Sequence, residues 1–315
     1  MRYRAYETLL DTPHVVVDGS AQAGTVLALS HWPGSATPDV LRRDLSAEIA
    51  FAYLDHPEWS VAAEYVSNNH FDQDGLMSVF ALTQPDAALA RRDQLIDVAR
   101  AGDFGSFVDR DSARAAITIA NLEPEAIGDP YDNVLPRLTE IVDHVERFRR
   151  HWTDEDAHIG ETEQAIVGGV IAIEEMPEID LAIVTVPPTW GEQVVHRFTT
   201  TASNAAHPYA IHNATDRFVI LTLSGGAPEL RFRYETWVHY VSRRPRPRVD
   251  LTNLAAEFTA AETRDGLWSF DGVNSLSPAL HLVRGETSLD PDHFGARVIE
   301  ELRAARVTWN PYDPT

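Results

Sequence analysis

The run SNNHFDQDG, Ser67 to Gly75, sets His70, Asp72 and Asp74 on alternate positions and closes on a glycine. One imidazole and two carboxylates are donors that a divalent cation takes, at about 2.0–2.6 Å. An extended segment points all three the same way, and a turn at Gly75 swings Asp74 back toward the others. The same residue types are turn formers and helix caps, so a capped turn without an ion is the competing reading. An EF-hand is excluded, because counting from His70 puts Ala81 where the loop needs its bidentate glutamate.

The surrounding elements must position these groups. HVVVDG and GTVLALSHW read as strands, AEYVS as a third leading into the run, and LMSVFAL, apolar nearly all round, as a buried helix after it. Strand, loop and buried helix is an α/β order, in which ligands bind beyond the carboxyl ends of the strands. About seven residues separate the first two strands. That spacing predicts an antiparallel pair, with Asp18 and His31 at opposite ends of the sheet.

Thr37 reads as the N-cap of a helix bearing Leu41, Leu45, Ile49, Ala52 and Tyr53. Further helices are expected over Pro85 to Arg100, stopped by Gly102, over Asp111 to Leu122, capped by Asp111, and over Leu135 to Trp152. TDEDAHIGETEQ breaks the periodicity and crowds like charges, which marks a boundary between an α/β domain, 1–157, and an α+β domain, 158–315. In the second, RFVILTL and LRFRYETWVHYVS predict a hairpin whose loop holds Gly225, Gly226 and Pro228. The expected fold class is α/β: an N-terminal mixed, mostly parallel sheet flanked by helices, followed by a C-terminal α+β domain.

Composition narrows the chemistry. The chain has 315 residues and no cysteine, so thiolate ligands and cysteine nucleophiles are excluded. All 26 basic residues are arginine, which removes Schiff bases and a P-loop lysine. A net charge of -22 repels long nucleic acid and anionic membranes and leaves a small substrate as the expected partner. No stretch reaches the ~20 apolar residues of a membrane span and no signal-type apolar run opens the chain, so a cytoplasmic protein is expected.

HFDQDGLMSVFAL resembles the first motif of the DHH phosphoesterase superfamily, a His-x-Asp-x-Asp-Gly run between a strand and a buried helix. The resemblance implies that His70, Asp72 and Asp74 are ligands in a centre for two manganese ions, with Gly75 making the turn. It also implies that the metals polarise a water for attack on phosphorus. The likeness is close over this stretch, and the C-terminal half, with VHYVSRR followed by VDLTNLAAEF, is more faintly similar to the domain that accompanies DHH cores, although GLWSFDG stands where that domain has a glycine-rich GGGH segment. The nearest match to the superfamily's second motif, a strand-end aspartate, is Asp103 in AGDFG, and Asp-His-His is represented only by Asp143 and His144 before Val145. The whole chain also resembles an uncharacterised bacterial family sharing LSHWPG and NNHFDQDG.

Together these readings predict a Mn²⁺-dependent phosphoesterase acting on a small phosphoester or related anionic metabolite. His70, Asp72, Asp74 and Asp103 are the expected metal ligands, and Asp74 and His31 the catalytic groups. Arg110, Arg114, Arg243 and Arg244, the last two from SRRPRPR, are expected to bind the substrate's anion through guanidinium forks. A homodimer is compatible with this. The alternative is a non-catalytic ligand-binding protein of the same ancestry with a degenerate metal site. His144, His207 and His212 are left without a role.

Overall fold

A computed structural model describes residues 1–187, 190, 206–224, 227–304 and 306–313. The chain forms two compact units, one of residues 1–156 with 238–244, the other of 157–237 with 245–315. The expected glycine pair Gly225 and Gly226 lies outside the described residues.

In the first unit, β1 (Arg2–Tyr3), β2 (His14–Val17), β3 (Thr25–Leu29) and β4 (Tyr65–Ser67) form one sheet in the order β1-β4-β2-β3. Every pairing in it is parallel. The antiparallel expectation for β2 and β3 is therefore overturned. With four residues, β2 is only about 13 Å long, and a seven-residue return can reach roughly 20 Å or more without a helix. Two positive-φ residues make that return possible, Asp18 at φ 44° leaving β2 and Gly24 at φ 82° entering β3.

Helices cover the sheet. α1 (Ser46–Asp55) and α2 (Gln73–Thr83) are nearly all buried, as the apolar LMSVFAL predicts for α2. α1 starts later than the sequence suggests, because Thr37 is engaged elsewhere: its hydroxyl takes the Ser30 amide at 2.8 Å and donates to the Ser30 carbonyl at 2.8 Å. Pro38 instead precedes a short 3-10 turn, Asp39–Leu41. The stretch read as one helix from Pro85 divides into α3 (Pro85–Leu89) and α4 (Arg92–Phe104). α4 runs through Gly102 and stops at Gly105, whose left-handed φ of 61° ends it. Gly102 serves packing instead: a Cβ there would lie 2.6 Å from Cβ of Gln73 on α2. α5 (Arg110–Leu122) is capped by Asp109 rather than Asp111.

The expected helix from Leu135 to Trp152 is broken. A 3-10 turn at Leu135–Arg137, a helix at Leu138–Asp143 and a 3-10 segment at Val145–His151 replace it, with His144 non-helical at φ -140°. Its apolar face is nonetheless buried, from Leu138 through Ile141 and Phe148 to Trp152. The acidic stretch expected as a break is helical, Thr153–Val167, with Asp154, Glu155 and Asp156 in its first turn, where the helix dipole favours them.

The second unit holds a mixed six-stranded sheet, β5 (Ala172–Met176), β6 (Leu181–Thr185), β7 (Val219–Leu223), β8 (Glu229–Phe232), β9 (Leu267–Phe270) and β10 (Ala279–Arg284), in the order β5-β6-β7-β8-β10-β9. Helices Thr252–Ala261 and Pro291–Ala304 bury Phe258, Phe294 and Val298 with Leu221, Leu230 and Trp268 of the sheet. β8 pairs with β7 as the hairpin predicts, but it ends at Phe232 and a 3-10 turn at Tyr234–Thr236 follows. The rest of the predicted strand, Val238 to Tyr240, belongs to the first unit. The fold is thus α/β, with a parallel sheet under helices in the N-terminal unit and a mixed α+β arrangement in the other.

Candidate metal centre

Because β2 lies between β4 and β3, the residues leaving these three strands emerge side by side. β2 delivers Asp18, β3 delivers His31 and β4 delivers His70. Asp18 is therefore central rather than at the far edge of the sheet, the direct consequence of the parallel pairing.

Asp18 is 1% exposed. Its Oδ1 accepts from the Ser46 hydroxyl at 2.8 Å and lies 3.3 Å from His31 Nε2. Its Oδ2 accepts no hydrogen bond and lies 3.3 Å from His70 Nε2. A left-handed backbone at a non-glycine residue costs of order 1–2 kcal/mol, and here it turns one carboxylate toward two imidazoles.

His31 is fully buried, with Nδ1 2.7 Å from the Asp44 carbonyl. That contact requires the proton on Nδ1, so Nε2 is the face left for a ligand, the arrangement common in metal-binding histidines. Nε2 looks at three carboxylates: Asp18 at 3.3 Å, Asp103 at 3.5 Å and Asp74 at 3.8 Å. Three buried anions around one nitrogen demand positive charge between them. Without a metal, protons answer the demand. Burial pushes the His31 imidazole down, but Asp18 and Asp74 override it and raise it to about 9.

Asp74 is fully buried in the first turn of α2, and its two oxygens accept from the amides of Ala47 and Ser46, each at 2.7 Å. It thus caps α1 from another helix, while Glu48 within α1 accepts from the Leu45 amide at 3.2 Å. Burial, aided by Asp18, pushes its carboxyl up to about 8.

His70 and Asp72 form the more open side, with side chains 32% and 20% exposed and 2.8 Å between Nε2 and Oδ2. Asp72 Oδ1 also caps α2 by accepting from the Gly75 amide at 2.8 Å. Burial lowers the His70 imidazole, yet Asp18 and Asp72 lift it to about 11. The same two histidines override burial at Asp18 and hold its carboxyl below the usual range. The loop is held from outside by Tyr131, whose hydroxyl accepts from Asn68 Nδ2 at 3.1 Å and donates to the His70 carbonyl at 3.2 Å. Gly75 leaves room for this, since a Cβ there would stand 2.0 Å from Asn68 Nδ2.

Two ligand sets result, Asp18–His70–Asp72 and Asp18–His31–Asp74, the donor atoms of each lying within 4.8 Å of one another. Asp18 belongs to both. The capped-turn reading accounts for Asp72 and Asp74 but gives no reason for two histidines to face Asp18. Asp103, in the last turn of α4 rather than after a helix, brings its Oδ2 to the buried set.

The expected arginines divide. Arg110 and Arg114 converge on Asp156, at 2.5 Å and 3.1 Å, and Arg114 also lies over the Trp152 ring. Arg243 and Arg244 follow a segment tied to the His31 loop: the His239 amide donates to the His31 carbonyl at 2.8 Å, and Asp44 Oδ1 accepts from Val241 and Ser242 at 2.6 and 2.8 Å. Asp143, from the partial third motif, pairs with Arg91 at 2.6 Å. His207 caps the helix Pro208–Ala214. The residue that sequence reasoning underrated is Asp18. Its signal was a strand short enough to be followed by a parallel neighbour.

No curated protein and no solved structure matches the chain. A family profile does match, over residues 1–313, and it shares the uncharacterised standing expected from LSHWPG and NNHFDQDG. The chain belongs to that family of unknown function, DUF6687.

Proposed function

We propose that the protein is a metal-dependent hydrolase of a small phosphoester or related anion, similar in its centre to the DHH phosphoesterases. The observation that carries the reading is Asp18, one carboxylate offering separate oxygens to two histidine-containing ligand sets. His31, Asp18, Asp74 and Asp103 would hold one divalent cation, and His70, Asp72 and the second oxygen of Asp18 another. Manganese suits this donor set of carboxylates and imidazoles. Bound there, divalent cations supply a water of lowered pKa and neutralise charge on a phosphoryl oxygen.

The chain's own residues do the positioning. Asp44 fixes the His31 tautomer through its carbonyl, α1 fixes Asp74 through two amides, and Ser46 fixes Asp18. Asp74 and His31 are fully buried, which suits them to hold charge in place. His70 and Asp72, partly exposed, are the side from which an anionic substrate can enter. Arg243 and Arg244, carried by the segment tied to His31, are the guanidinium groups proposed to receive it.

Metal analysis of untagged protein, with a screen of phosphoesters in the presence and absence of Mn²⁺, tests the proposal. Bound manganese and metal-stimulated phosphate release are expected. Metal-free protein and no stimulated turnover would sink it.

The placement of Asp143 on Arg91 favours a second reading, a binding protein of the same ancestry with a degenerate metal site that lacks the Asp-His-His motif. It predicts that anions raise the melting temperature of the Mn²⁺-loaded chain with no product formed.

A further inference from the structure

The two ligand sets that share Asp18 differ in every property that sets cation affinity. Around His31 stand three carboxylates, Asp18, Asp74 and Asp103, each with its side chain no more than 5% exposed. Partners that are not ligands already fix this set: the Ser46 and Ala47 amides on Asp74, the Ser46 hydroxyl on Asp18 and the Asp44 carbonyl on His31. Charge count and rigidity are what tune divalent affinity over several decades. Closure from water also slows release of whatever is bound.

Around His70 stand only Asp18 and Asp72. The side chains of His70 and Asp72 are 32% and 20% exposed, and they are already joined to each other at 2.8 Å. A cation entering here must part that pair and compete with solvent for its donors. Asp18 Oδ2, buried and accepting no hydrogen bond of good geometry, faces His70 Nε2 at 3.3 Å and completes this side.

We infer that the centre loads in order, with a resident ion at His31, Asp18, Asp74 and Asp103 and an exchangeable ion at His70 and Asp72 that gates the site by free metal concentration. The inference rests on the metal-centre reading above and adds its regulation. Under the proposed activity, turnover follows occupancy of the exchangeable position, while the resident ion holds the fold of the three strand ends together.

The test uses the full chain, stripped with chelator and titrated with Mn²⁺ alone, free ion being counted by its electron spin resonance signal. One manganese per chain should survive gel filtration, and a second should bind roughly 100-fold more weakly. His70→Ala should abolish the weak event and leave the retained ion, whereas His31→Ala should lose the retained ion. If circular dichroism shows His31→Ala unfolded, Asp103→Asn replaces it, with weakened retention expected. Two ions of equal affinity, saturation at one ion, or loss of the retained ion in His70→Ala would overturn the ordering and leave the hydrolase reading standing. A folded chain that binds no manganese would overturn both.

Discussion

At the scale of single residues, the centre is a problem of charge in a dry place. Asp18 is the most informative position, because both ligand sets use it. Asp18→Asn is expected to weaken both manganese events by more than roughly 100-fold, beyond the 10- to 100-fold typical of supporting residues. A change confined to one event, read by the same titration, would show that the carboxylate is not shared. The pH dependence follows from the imidazoles. His31 and His70 are raised to about 9 and about 11 in the metal-free protein, so their contribution is complete below their unfolded pKa, about 6.5, and is lost as pH rises through the folded values. Asp74, raised to about 8, acts in the same direction, since its protonated form is the one favoured by the fold and is lost as pH rises toward that value. Metal-free protein should therefore melt lower at pH 8.5 than at pH 6. Because protons and the cation compete for the same atoms, the rise in melting temperature on adding Mn²⁺ should be larger at pH 8.5. Scanning calorimetry decides this, and a metal increment independent of pH would count against cation binding at these histidines.

At the scale of elements, the parts legible in the sequence were those with local causes. The buried helix α2 announces itself by its apolar run, but the turn expected at Gly75 is already helix: Asp72 is the N-cap, and Asp74 and Gly75 lie in the first turn. What could not be seen locally were caps and pairings supplied from elsewhere. α1 has its first amides bound by Asp74, 27 and 28 residues away, so no cap signal precedes it. The pairing of β2 with β3 depends on how short β2 is, a property that a rule about crossover length does not weigh. Gly102 looked like a helix stop because glycine usually is one, and proved to be the contact between α4 and α2. Gly75 makes a testable case of such close approach. Gly75→Ala would drive a methyl group against Asn68 and the Tyr131 hydroxyl, at 2.0 and 2.8 Å, and is expected to cost about 1–3 kcal/mol in urea unfolding. A neutral result would mean that the Asn68 side chain yields without disturbing His70.

At the scale of the molecule, the two units invite a regional test. Mn²⁺ in hundredfold excess over its dissociation constant stabilises what binds it by about 2.7 kcal/mol. Hydrogen exchange should register that gain at the amides of Ser46 and Ala47 and in the loops around His31 and His70. The strands β5 to β10 should exchange at the same rate with and without metal. Equal slowing in both units would place the cation's effect elsewhere. No helix among the described residues is long and apolar enough to cross a membrane. The net charge of -22 also bears on loading, because a negative field concentrates divalent cations around the chain and repels anionic substrates until that charge is offset.

The return of Val238 to Arg244 into the first unit has a consequence for how the protein is made. The carbonyl of His31 and the carboxylate of Asp44 wait for amides at His239, Val241 and Ser242, some two hundred residues downstream. On the ribosome, the strand ends can gather early, yet the loop that holds His31 stays unfinished until three quarters of the chain has been synthesised. A fragment cut at residue 156 would carry all six ligand candidates and still lack the strap that closes over one of them.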